Sequence, residues 1–153
     1  MPTQLQRREQ IATEELNRQM GTHYRVIQGK LRKWDAEELF TGEKLEHKTI
    51  LTTTGSGWVI HPPNFAAHKH WCFSIWKSRE DSLEEDLQYM IYLPQEHVEK
   101  FEKFMEPRLL DRVKRNKQND GACITKGQLL RLFDSSEITV YDFRPPKQKV
   151  AHV

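Results

Sequence analysis

The sequence predicts a single α/β domain in which a central mixed β-sheet is flanked by helices. Three observations lead there. The chain has 153 residues, room for one domain and not comfortably two. Its patterns run helix, strands, helix, strand, instead of separating into an all-helical and an all-strand half. The segment WCFSIW at 71–76 is short and almost continuously apolar, which suits a strand buried on both faces. With 37% hydrophobic and 10% aromatic residues, the chain has the side chains to fill a core, which argues against a disordered polymer.

Residues 3–20 read as a helix that Gly21 stops in a left-handed conformation. Its apolar stripe of Leu5, Ile11, Ala12, Leu16 and Met20 is thin, so two placements stand: against its own domain, or against a second chain as a dimer contact. Residues 23–27 read as a short strand with a turn near Gly29. Residues 44–53 carry the β-branched content of a longer strand, entered through the turn signal Thr41-Gly42. A loop holding Gly55, Gly57, Pro62 and Pro63 leads on to the apolar strand at 71–76. The acidic run REDSLEED then reads as an exposed hairpin turn before a strand at 87–93. Pro94 opens a helix whose Val98, Phe101, Phe104 and Met105 are spaced three and four apart, and Pro107 is expected to interrupt it. A short helix at 128–133 and a strand at 138–143 close the domain, leaving 144–153 as a flexible tail.

No apolar run approaches the ~20 residues of a membrane span, so no membrane association is expected. The N-terminus lacks the apolar stretch of a signal peptide. Cys72 and Cys123 make no disulfide framework and no CxxC is present, which sets a reducing cytoplasm as the expected compartment. The net charge of +2 selects no partner by itself.

Chemistry concentrates in WDAEELFTGEKLEHKTI at 34–50. Glu46 and Lys48 stand two apart on a strand and leave the same face. Asp35 precedes Glu46 by a hairpin's length, which returns its carboxylate beside Glu46. Two adjoining carboxylates repel unless they share a cation, and Mg²⁺ favours one or two carboxylates with waters and phosphate oxygens. Asp35 and Glu46 are therefore the candidate metal ligands, with the His47 carbonyl as a third. Such a metal neutralises charge developing on a phosphodiester, while Lys48 handles the attacking water and the phosphate. In a chain with 30% charged residues the triplet alone also describes a solvated strand face.

The order of the downstream segments narrows the choice. The sequence from Asp35-Ala36 through GEKLEHK at 42–48, then VIHPPN at 59–64, WCFSIWK at 71–77, residues 90–104, Asn119-Asp120 and 138–141, resembles in its order the PD-(D/E)xK nucleases, and among them the small type II restriction endonucleases. The resemblance covers about 34–143. It implies the restriction-endonuclease fold, a homodimer, double-stranded DNA as substrate, catalysis by Asp35, Glu46 and Lys48 with Mg²⁺, and a cognate DNA methyltransferase acting on the same site. It also implies that His61 and the pair Asn119 and Asp120 reach base edges. The family's Pro before the metal-binding Asp is Trp34 here, an asparagine is replaced by Asp120, and the stretch before Asp35 is shorter than in the family.

His61 and Asn64 lie just beyond the candidate catalytic strand, and both residue types can read bases in the major groove; a loop-shaping role is the plain alternative. Lys114 and Arg115 belong to a basic run with Arg108, Arg112 and Lys117 that suits phosphate contacts or a solvated helix face. His68, His70 and Cys72 alternate, so on a strand they can face one zinc ion, or simply place a core cysteine between polar rims. At the level of function, a homing or repair endonuclease of the same fold and a non-catalytic nucleic-acid-binding module are the alternatives.

Overall fold

The computed structural model describes residues 3–29, 33–52, 57–80, 82–115 and 121–145. Helix α1 spans Gln4–Met20. The Thr3 hydroxyl accepts from the Gln6 N–H at 3.1 Å, and the Gln6 side chain accepts from the Thr3 N–H at 2.8 Å, which pairs two of the N–H groups a helix start leaves over. At the other end Gly21 takes φ 68°, as its position after the last apolar residue predicts. The helix lays Ala12 and Leu16 on its own sheet, against Leu45, Cys72, Trp76 and Met90.

Among the described residues six strands form the main sheet: β1 Tyr24–Val26, β2 Ala36–Glu38, β3 Lys44–Leu51, β5 His70–Ser78, β6 Glu85–Leu93 and β8 Thr139–Asp142. They lie side by side in the order β1-β2-β3-β5-β6-β8. Of these, β3 and β5 run parallel and every other neighbouring pair is antiparallel, so the sheet is mixed, as expected. A parallel pair needs a crossover. Here it contains β4 Gly57–Ile60 and a 3-10 turn at Pro62–Phe65. β4 pairs with β7 Ala122–Thr125 as a separate two-stranded sheet.

Three strands fall outside the sequence reading. β2 is short and reads AEE. β4 lies where the glycines and prolines suggest loop. Its Gly57 is there because a Cβ would sit 2.5 Å from Cys123 Sγ and from the Ile124 carbonyl oxygen, so the close β4–β7 pairing requires a bare Cα. β7 lies beyond the basic run.

Helix α2, Val98–Arg115, begins after a 3-10 turn at Gln95–His97 that Pro94 introduces. The expected break at Pro107 does not occur, because the helix continues through it. Phe101, Met105 and Leu109 are buried one turn apart and hold both halves to the core. Pro107 and Lys103 are both exposed, so water can serve the carbonyl that the ring leaves without its N–H. Helix α3, Lys126–Leu132, starts earlier than the sequence suggests because Thr125 caps it reciprocally with Gln128.

The two faces of the sheet carry separate cores. α1 covers one. On the other, Trp71, Phe73, Ile91 and Leu93 pack against Trp58 and Ile60 of β4, Phe101 and Met105 of α2, and Leu129 of α3. Of the acidic run, the described residues 79, 80 and 82–84 lie in the β5–β6 connection, while Glu85 and Asp86 already belong to β6; Arg79 pairs with Glu84 and Asp86. Among the described residues no helix is long and apolar enough to cross a membrane. Most of the expected tail, 146–153, lies outside the described residues.

Candidate active site

The site grows from the β2–β3 hairpin. Gly42 takes φ 73° in its turn, and the chain returns with Ala36 opposite Leu45. Asp35 therefore arrives beside Glu46. Its N–H donates to the Leu45 carbonyl at 2.9 Å, and its Oδ2 accepts from the His47 N–H at 2.7 Å. In a strand one residue's N–H and C=O leave the same edge, so the His47 carbonyl also lies on the Asp35 side of β3. The His47 ring goes to the opposite side, toward α1, where Nε2 lies 2.8 Å from Thr13 Oγ1.

In the parallel register Glu46 stands beside Trp71 and Lys48 beside Phe73, so both leave the sheet face that carries the larger core. They open with Asp35, Glu9 and Trp58 into a cleft of about 370 Å³. Glu46 is only 7% exposed. Burial, and next the charge of Asp35, push its carboxyl up from the ordinary range, against the pull of Lys69 and Lys48. Burial likewise pulls the Lys48 ammonium down, while Glu46 and Asp35 act to hold it up. Lys48 Nζ lies 3.9 Å from Glu46 Oε1.

Two further residues complete the cluster. Lys69, 1% exposed, donates to Glu46 Oε2 at 2.8 Å and to the Lys33 carbonyl at 3.3 Å. The Asn64 amide donates through Nδ2 to Glu46 Oε1 at 3.3 Å, while its Oδ1 accepts from the His61 N–H at 2.8 Å. The sequence reading missed Lys69. No local signal marks it, because its meeting with Glu46 depends on β5 lying beside β3.

The other expected residues are spread out. Asn64, expected to face bases, has its amide directed inward to Glu46 and to its own turn. His61 precedes that turn, and its ring packs on Gly121, where an added Cβ would fall 2.6 Å from His61 Cε1. Gly121→Ala is thus expected to destabilise the fold by about 1–3 kcal/mol through overpacking, measured by urea denaturation. Lys114 and Arg115 lie exposed on the last turn of α2, with Arg115 Nε 3.2 Å from Asp111. Arg108 and Arg112 instead tie α2 to the backbone of β7 and the residue before it, at the Cys123 and Gly121 carbonyls. Asn119, Asp120 and Lys117 lie outside the described residues.

The zinc alternative fares differently. His68 is exposed and Cys72 is in the core. The His70 ring accepts from the Gln95 N–H at Nδ1 and bonds Glu43 at Nε2. Among the described residues no three His, Cys, Asp or Glu side chains converge as a metal set. A cation at the hairpin would rest on Asp35, Glu46, the His47 carbonyl and water. That all-oxygen set fits hard Mg²⁺, and the repulsion between the two carboxylates is what a divalent ion would relieve. No known protein-family model and no curated protein matches the chain.

Proposed function

We propose that this chain is a Mg²⁺-dependent, site-specific endonuclease that hydrolyses phosphodiester bonds of double-stranded DNA, in the manner of a type II restriction enzyme. The observation that supports it best is the gathering of Asp35, Glu46 and Lys48 in one cleft on one face of the β2–β3 hairpin. As a hydrolase of this kind it works as a homodimer, because one small site cuts one strand and a two-fold pair cuts both. A methyltransferase acting on the same sequence would protect the host's own DNA.

Asp35, Glu46 and the His47 carbonyl would hold the cation. When bound, it supplies charge neutralisation at the scissile phosphate and a more acidic water. The protein's own groups do the rest. Lys48 Nζ reaches from the same strand into the cleft, where it pairs with a phosphate oxygen and orients the incoming water. Burial disfavours the charged ammonium, so a larger share of Nζ is neutral and has a lone pair free for the proton that water gives up. Asn64 and Lys69 fix the Glu46 carboxylate, and Trp58 lines the same cleft. Lys114 and Arg115 suit backbone phosphates, which position a duplex without reading it. His61, Asn119 and Asp120 are the proposed base contacts.

The test is incubation of the purified chain with long, sequence-diverse linear DNA in Mg²⁺, with an EDTA control. Discrete, metal-dependent fragments are expected, and sequencing their ends gives the target. A metal-dependent smear would remove the site specificity. Intact DNA in Mg²⁺, with the same binding in EDTA, would leave a non-catalytic binding module.

A further inference from the structure

We propose that Lys69 is a positioning residue that sets the Glu46 carboxylate from behind, so that its metal-binding competence depends on an amine that never meets DNA. The inference rests on the nuclease reading and deepens it.

The geometry divides the two lysines by place. Lys48 approaches Glu46 Oε1 from β3 and lines the cleft. Lys69 stands immediately before β5, the strand parallel to β3, and meets the other oxygen, Oε2, at 2.8 Å. Its side chain has 1% of its surface exposed against 18% for Lys48. Its remaining contacts are internal: the Lys33 carbonyl at 3.3 Å and the Trp71 ring, whose centroid lies 5.7 Å from Nζ. Oε1 is met by the Asn64 amide. Glu46 is thus gripped at both oxygens, and the Lys69 grip is sealed away from any substrate.

Stability alone does not ask for this lysine. A leucine or methionine beside Trp71 would fill the space without the cost of desolvating an ammonium, and buried ion pairs often lose to well-packed apolar groups. What the ammonium adds is orientation. Residues that hold a metal-binding side chain from outside the coordination sphere are worth about 10–100-fold in metal affinity or activity.

The probe is Tb³⁺, a hard, oxygen-seeking ion whose emission is sensitised by a nearby tryptophan; Trp58 lines the same cleft. Tb³⁺ titrations, with Mg²⁺ as competitor, would be run on the wild type, Lys69→Met, Glu46→Gln and the double variant. Thermal unfolding checks that each is folded. Lys69→Met is expected to weaken Tb³⁺ binding by about 10–100-fold and to slow Mg²⁺-dependent cleavage comparably. In the Glu46→Gln background the same change is expected to have little further effect, because the two act as a unit. If Lys69→Met does not fold, Lys69→Gln takes its place; it keeps an N–H donor and is expected to lose less.

Equal or tighter Tb³⁺ binding in a folded Lys69 variant would overturn the proposal, as would an equal loss with Glu46 already replaced. A wild type that leaves DNA intact while Lys69→Met still weakens Tb³⁺ through Glu46 would sink the nuclease reading and keep the positioning role. Cleavage that ignores Lys69→Met would do the reverse. A wild type that takes up no Tb³⁺ would end both.

Discussion

Replacing Lys48 with alanine is expected to leave DNA binding intact and to slow cleavage by about 10²–10⁴-fold, the range a positioned proton-transfer group supplies. The site should survive the change. Glu46 keeps Lys69 at one oxygen and Asn64 at the other, and Asp35 stays anchored on the His47 N–H. What is lost is the amine that lines the cleft. Binding would be followed by fluorescence anisotropy in Ca²⁺, and cleavage by single-turnover kinetics in Mg²⁺. Wild-type cleavage by this variant would remove Lys48 from the mechanism. A parallel loss of binding would make it a phosphate anchor only.

Phe101→Ala is expected to cost about 3–5 kcal/mol of stability, read from the shift in urea midpoint at constant slope. Phe101 is fully buried at the meeting point of α2 and the sheet. Its ring centroid lies 5.3 Å from that of Phe65, 5.3 Å from that of Trp71 and 5.7 Å from that of Phe73. A cavity there removes edge-to-face contacts as well as apolar burial. Phe65 belongs to the 3-10 turn that also carries Asn64, so the same substitution should loosen the hold on Glu46 Oε1. Since a domain of this size has only about 5–15 kcal/mol in hand, this one change can take a large share of it. A cost under about 1 kcal/mol would show that the aromatic cluster closes over the gap.

How much could be read in advance depends on how local each signal is. The strands at β3, β5 and β6 announce themselves through runs of β-branched and aromatic residues, and helix α1 through the glycine stop at Gly21. The alignment of Asp35 with Glu46 needs only a hairpin, and the common face of Glu46 and Lys48 needs only the alternation of a strand. Those three residues were accordingly legible. Lys69 was not, because its meeting with Glu46 depends on which strand lies beside β3 and in what register, and the crossover through β4 intervenes. Asn64 was noticed but assigned outward; nothing local says that its amide turns back to a strand residue. Pro107 misled for a related reason. An isolated proline marks a break, yet here the apolar contacts on either side outweigh the single bond it removes.

The side chain of Asn17 has a consequence for assembly. From α1 it donates to the Tyr24 carbonyl at 2.9 Å and accepts from the Tyr24 N–H at 2.8 Å, doing for the outer rim of β1 what another strand would do. An unpaired rim is a template on which further chains can stack without limit. Here the helix's own amide serves as a terminator: a newcomer would have to break both bonds before its backbone could zip onto Tyr24. Runaway polymerisation at that end is therefore opposed by one asparagine.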